Sequence, residues 1–213
     1  MTRILPGVFA MATIVVASNI LVQFLILDGL LTWGAFTYPF AFLVTDVMNR
    51  VYGVAAARKV VFAGLIVGII CSLIGSQVML QGDGYEYPAV ALRIAIGSAT
   101  AFAVAQLLDI AVFNRLREGS WWKAPLASTL IGSSVDTLVF FSIAFAAVFN
   151  GFSSAATEEI VWAQDLVPFL NVGPLVPLWV SLAVADWGVK LSIALLALIP
   201  FRIIVGRITQ PVT

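Results

Sequence analysis

The side chains that could do chemistry in this sequence are the few ionisable and amide groups set inside long apolar runs. Asp136 lies within residues 122–149, Asp186 and Lys190 within 176–203, and Asp46 with Arg50 within 33–51. Arg93, Gln106 and Asp109 lie within 88–113, and Asn19 and Gln23 within 4–27. A charge at the centre of a bilayer costs about 2.5 to 3.5 kcal/mol on insertion scales, so such groups persist where they pair, face a water-filled cavity or carry out work. At about 1.5 Å of rise per residue, Asp136 and Asp186 fall near the middle of their runs, Lys190 and Asp46 in the inner half, and Arg93 in the outer half. Asp109 and Arg50 lie close enough to the inner edge to reach headgroup water.

Spacing adds faces to depth. Asp186 and Lys190 are four residues apart, so they share a helical face and can pair, and Asp46 and Arg50 do likewise. Ser128, Gly132 and Asp136 form a column at the same interval with Thr129 and Ser133 beside it, and Asn19 and Gln23 align in the same way. Polar faces on five apolar runs point to a shared wet cavity for a small polar solute; the bland alternative is a set of structural pairs that satisfy one another. Among the deepest charges, Asp46, Asp136 and Asp186 stand against Arg93 and Lys190, an excess of one negative. One acid, Asp136 first and Asp186 second, is therefore expected to hold a proton in one state and release it in another, coupling solute movement to a proton gradient.

Other chemistries find no support. The chain has no histidine, its single cysteine, Cys71, is flanked by apolar residues, and no acidic group has metal-ligand spacing. Neither a nucleophile with its base nor a metal or bound cofactor is expected, and the chain reads as a non-enzyme. Formal net charge is zero, which leaves no electrostatic footprint for nucleic acid.

The elements that must position these groups are membrane helices. Hydrophobic residues make up 62% and charged residues 10% of the chain, at a mean hydropathy of +1.07; soluble domains average about half apolar and about 25% charged. Six runs are long enough to span a bilayer, at about residues 4–27, 33–51, 59–80, 88–113, 122–149 and 176–203. The expected fold is an all-α integral membrane bundle of six helices forming a single membrane domain over residues 1–213. Arg3, Arg50, Arg58, Lys59, Arg115, Arg117, Lys123, Arg202 and Arg207 gather at the N-terminus, the second and fourth connections and the C-terminus. The other connections carry Asp28, Asp83, Glu86, Glu158, Glu159 and Asp165, so the positive-inside rule puts both termini in the cytoplasm. Trp33, Tyr85, Tyr87, Trp121, Trp122 and Trp162 fall near span edges, where amphipathic rings anchor. The long outer loop 150–175, with its apolar stretch 160–170, is expected to include a short amphipathic helix at the outer surface. In the third run Gly64, Gly68, Ser72 and Ser76 make a small-residue stripe suited to close packing within the bundle or to a homodimer face. Two halves of three spans would have opposite topologies, as in many carriers, with Asp46 and Asp136 on the second span of each.

Several strings resemble a known family. These are Ser18-Asn19 with Gln23, Thr32-Trp33-Gly34-Ala35-Phe36, Pro39-Phe40, and Thr45-Asp46 with Arg50 and Gly53. The likeness continues through Arg93, Gln106-Leu107-Leu108-Asp109, Phe113-Asn114-Arg115-Leu116-Arg117, Trp121-Trp122, Ala127-Ser128-Thr129-Leu130, Asp136-Thr137, and Asp186 with Lys190. In this order and spacing they resemble the bacterial queuosine-precursor transporters, formerly grouped as vitamin-uptake transporters. The resemblance implies a multi-pass protein of the bacterial inner membrane that imports 7-cyano-7-deazaguanine or its aminomethyl analogue for salvage into a modified tRNA nucleoside. For such a cargo, Asp136 or Asp186 would meet the amino edge, Arg93 or Lys190 the carbonyl, and Asn19 and Gln23 the remaining polar atoms. Asp46 and Gln106 would complete the polar lining, and Phe36, Tyr38 or Trp187 would stack on the flat ring. The alternative is a substrate-binding membrane subunit for a vitamin or nucleobase, comparable to the S-components energised by a separate ATPase module.

Overall fold

The structure, a computed structural model, describes residues 2–21, 24–27, 29–81, 84, 86–152 and 158–209. Helix α1 runs Leu5–Leu21, with Pro6 in its first turn, where the missing N–H has no helical partner to lose. The second apolar run is broken into α2, Gly34–Thr37, and α3, Phe40–Tyr52. Pro39 is the cause: it cannot donate, and the chain tightens to Ala41 N–H on Tyr38 O at 2.9 Å and Phe42 N–H on Pro39 O at 3.1 Å. Gly53 then turns the chain directly into α4, Val54–Gly75, with φ of 85° and ψ of 175°, a conformation that L side chains rarely adopt. Helix α4 therefore starts ahead of the expected run, so Arg58 and Lys59 stand in its first turns, and it ends at Gly75 rather than near residue 80.

Helices α5, Leu92–Leu116, and α6, Lys123–Phe145, follow, and the last apolar run divides into α7, Leu178–Leu196, and α8, Leu198–Thr209. Among the described residues, α4, α5, α6 and the run Leu178–Thr209 are long and apolar enough to cross a membrane; α1 is apolar but shorter, at 17 residues. The protein is mostly helical and has the helices of an integral membrane protein.

Three of the connections are antiparallel ribbons. Strands β1, Leu25–Ile26, and β2, Leu31–Thr32, join α1 to α2; β3, Met79–Gln81, and β4, Glu86–Pro88, join α4 to α5. Strands β5, Leu166–Pro168, and β6, Leu175–Pro177, lead into α7. In the loop before α7, the stretch expected as an amphipathic helix forms instead a 3-10 turn, Val161–Gln164, and then β5. Pro168 and Pro174 favour an extended ribbon there over a continuous helix.

Small residues set the helix spacings. A Cβ on Gly64 of α4 would come within 2.5 Å of Met11 on α1 and 3.1 Å of Phe102 on α5. Gly68 meets Val15 of α1, and Ser72 is buried, so the α4 stripe packs inside the bundle. Gly97 brings α5 against the Phe140 carbonyl of α6, and Gly132 on α6 sits against Phe42, the Ala105 carbonyl and Asp109. The interior holds Met11, Ala41, Phe42, Ala57, Val60, Phe102 and Phe113, while Ile66, Ile70, Leu73, Leu196 and Ile199 stay exposed, as a hydrocarbon solvent requires. Replacing Gly132 with Val is expected to destabilise the protein by about 1 to 3 kcal/mol through overpacking. Thermal unfolding in detergent reads this directly, and an unchanged midpoint would mean that α3, α5 and α6 do not meet this closely.

Candidate functional site

Two polar centres lie on α6, one at each side of its middle. The first is built on Lys190, whose ammonium donates to Asp136 Oδ2 at 2.7 Å, to Asp186 Oδ2 at 2.6 Å and to Thr137 Oγ1 at 3.1 Å. The Thr137 hydroxyl donates in turn to Asp186 Oδ2 at 2.9 Å, and the Tyr38 hydroxyl to Asp136 Oδ1 at 2.8 Å. The Tyr38 ring also lies under the ammonium, 5.4 Å from centroid to nitrogen. Helix α7 supplies Asp186 and Lys190 four residues apart on one face, as their spacing predicts. Helix α6 supplies Asp136 and Thr137, and the break before Pro39 delivers Tyr38. Two carboxyl groups thus share one ammonium, at 4% exposure for Lys190 and Asp136 and 15% for Asp186.

The second centre lies two turns along α6. Asp46 of α3 accepts from Ser128 Oγ and Thr129 Oγ1, each at 3.0 Å, and Asp109 of α5 is buried against Gly132, one turn further along α6. Thr45 Oγ1 donates to Gln106 Oε1 at 2.5 Å. The carboxylate oxygens of Asp109 and the Gln106 Nε2 have no hydrogen-bond partner among the described residues. A cavity of about 10 Å³, room for about one water, is bordered by Asp46, Thr129, Pro39 and Phe201.

The remaining expected site residues are placed elsewhere. Arg93 does not reach Lys190: its guanidinium donates to the Ile143 and Ala146 carbonyls and to Asn150 Oδ1 at the end of α6. It satisfies helix-end acceptors that would otherwise be unpaired in an apolar layer. Asp46 and Arg50 do not pair, because Arg50 turns to the Arg117 carbonyl at 2.9 Å and to the face of Phe113. Asp109, read as an edge residue, is fully buried. Asn19 donates to the Val15 carbonyl of its own helix and borders a separate cavity of about 260 Å³ with Val16, Cys71 and Val90. Phe36 is half-buried against Trp33, and Trp187 is exposed with its indole N–H on Ser134. Gln23 lies outside the described residues. Tyr38 belongs to the Lys190 centre through its hydroxyl as well as its ring. Thr137 was not singled out from the residues themselves; its one signal was its place beside Asp136, next to the polar column.

Comparison with known proteins supplies the family. The profile described as "Putative vitamin uptake transporter" matches residues 32–205. The chain belongs to this family. Similar curated relatives are the "Queuosine precursor transporter" of Escherichia coli strain K12, 44% identical over 62% of this chain and 64% of the relative. The "Probable queuosine precursor transporter" of Haemophilus influenzae is 38% identical over 79% of this chain and 66% of the relative. That of Bacillus subtilis strain 168 is 30% identical over 55% of this chain and 58% of the relative. The chain thus spans just under two thirds of the length of the first two relatives it matches. No solved structure gives a significant match. These matches make the chain a member of a membrane transporter family that bears the queuosine-precursor name.

Removing one member of a buried ion cluster strands the others, at a typical cost of about 3 to 5 kcal/mol. Lys190→Met is expected to lower the unfolding midpoint in detergent sharply, and the added changes Asp136→Asn and Asp186→Asn are expected to restore most of the loss. A triple variant no more stable than Lys190→Met would show that the three charges do not act as one unit.

Proposed function

We propose that the chain is a six-span carrier of the bacterial inner membrane, with both termini cytoplasmic, that imports 7-cyano-7-deazaguanine or its aminomethyl analogue with a proton gradient as the driving force. The observation that carries this reading is the Lys190 centre, where an ammonium is clamped between two carboxylates from two helices each long and apolar enough to cross a membrane. The relatives' names supply the class of cargo.

The chemistry of the centre suits a guanine-like edge. A deazaguanine presents an N1–H and an exocyclic amine, both donors, and a ring carbonyl that accepts. Asp136 or Asp186 would take the two donors in a bidentate pair, Lys190 would move to the carbonyl, and the Tyr38 ring would offer a face to the heterocycle. Substrate thereby replaces contacts that the three charges make with each other, so binding and release exchange one satisfied network for another. The cavities at Asp46 and at Asn19 are not lined by Lys190, and Lys190 and Asp136 are almost wholly buried in this conformation. Entry then requires α2 or α7 to draw away from α6, which fits alternating access around a fixed site.

The direct test is uptake of labelled 7-cyano-7-deazaguanine by cells unable to make it, with and without the chain. Asp136→Asn and Asp186→Asn are each expected to lower initial uptake at least about tenfold per molecule of protein in the membrane, the cost of one charge-assisted contact. Uptake indifferent to the chain would overturn the reading. Orientation is tested with single cysteines in a Cys71→Ser background. Gly84→Cys should react with an impermeant maleimide on intact cells and Glu118→Cys only after permeabilisation; the opposite pattern would invert the proposed topology.

A further inference from the structure

The acids expected to carry a coupling proton, Asp136 and Asp186, are both held by Lys190. The second centre differs in every respect that matters for a proton. Asp46 and Asp109 are 2% and 0% exposed, and α6 brings them together: Ser128 donates to Asp46, and Gly132, one turn further on, lies against the Asp109 Cβ. Neither forms an ion pair among the described residues, where both salt bridges belong to Lys190.

The cations nearest the pair in the sequence of each helix are engaged elsewhere or exposed. Arg50, one turn along α3, is engaged by the Arg117 carbonyl and Phe113, and Arg117 of the α5 end is turned to the Asn49 carbonyl and side chain. Helix α6 presents the hydroxyls of Ser128 and Thr129, and α8 presents Phe201. The nearest cations of α4, Arg58 and Lys59, are exposed. Two carboxylates enclosed in this way cannot both be ionised. Asp46 accepts from two hydroxyls, whereas neither Asp109 oxygen has a hydrogen-bond partner among the described residues, so a proton held between the two carboxyls would answer the group that the hydroxyls leave unanswered.

We propose that Asp46 and Asp109 share one proton and that this pair, rather than the Lys190 centre, carries the proton that couples transport. The reaction is a proton transfer only: the pair gives its proton to water on one side of the membrane and regains one from the other side. The small cavity against Asp46 provides a water-sized opening for the exchange. Linkage to the cargo is mechanical, because α6 bonds the α2/α3 segment at both centres, through Tyr38 to Asp136 and through Ser128 to Asp46. These contacts are eight residues apart on each strand of the pairing, about 12 Å along the helix. A shift of α6 that opens the Lys190 centre also pulls two donors from Asp46 and changes its hold on the shared proton.

This inference rests on the carrier reading, and the test separates the two. Infrared absorption of the purified wild-type protein at neutral pH should contain a carbonyl stretch of a protonated carboxylic acid, lost in Asp109→Asn and kept in Asp186→Asn. In proteoliposomes, Asp109→Asn should still exchange labelled for unlabelled 7-cyano-7-deazaguanine. It should nevertheless fail to concentrate the solute under a gradient of one pH unit, which supports about tenfold accumulation at one proton per solute. Asp109→Glu should recover part of that accumulation. Absence of the protonated-acid band in the wild type, undiminished accumulation by Asp109→Asn, or accumulation that follows a sodium gradient would each overturn the proposal. A band present in a wild-type protein that neither exchanges nor accumulates the deazapurine would overturn the carrier reading, and with it the coupling role, while leaving the shared proton standing.

Discussion

An ionised group inside an apolar layer has to be answered by other groups, and in this protein that requirement fixes which helices touch. Lys190 can remain charged because α6 and α7 each bring a carboxylate to it, and Asp136 tolerates its place because the α2/α3 break brings a phenol. Apolar packing would allow these helices many relative rotations, since lipid tails and leucine side chains differ little as neighbours. The ion cluster allows few. The small residues at Gly97 and Gly132 then bring α5 and α3 against the same face of α6. Helix α6 is consequently the element on which both polar centres converge.

What was legible in the sequence follows from which interactions are local. The pairing of Asp186 with Lys190 is an i, i+4 contact on one helix, and it was readable from spacing alone. The polar column Ser128, Gly132, Asp136 was readable as a face, and it is buried, but Gly132 serves the approach of neighbouring helices. Depth arguments failed where a helix end intervened. Depth alone offers Arg93 to a central site, yet the carbonyls at the end of α6 take it, and those acceptors exist only once α5 and α6 are packed. The same local rule that found Lys190 suggested Asp46 with Arg50, and there tertiary partners won: two hydroxyls from α6 for the acid, a carbonyl and an aromatic face for the guanidinium. Asp109 was misread for a related reason, because distance from the end of a run measures depth but not which way the residue faces. The ribbons were also out of reach, since their pairing depends on turns inside segments whose apolar content matches the helices beside them.

The two centres show a reciprocity that single-helix reasoning could not reveal. The α2/α3 segment gives a hydroxyl at Tyr38 and an acid at Asp46; α6 gives a hydroxyl at Ser128 and an acid at Asp136, and each hydroxyl meets the other element's acid. The antiparallel course of the two elements makes this exchange possible, and the equal spacing on both keeps it in register. Neither acid can be described apart from the helix opposite.

Pro39 gives this arrangement one loose joint. Its ring nitrogen offers nothing to the Ala35 carbonyl, so the ladder of main-chain bonds lacks a rung immediately beyond Tyr38. The four-residue α2 is thereby joined to α3 as a short crank joins a shaft: it can swivel, taking the phenol off Asp136, while the thirteen residues of α3 keep every turn they have.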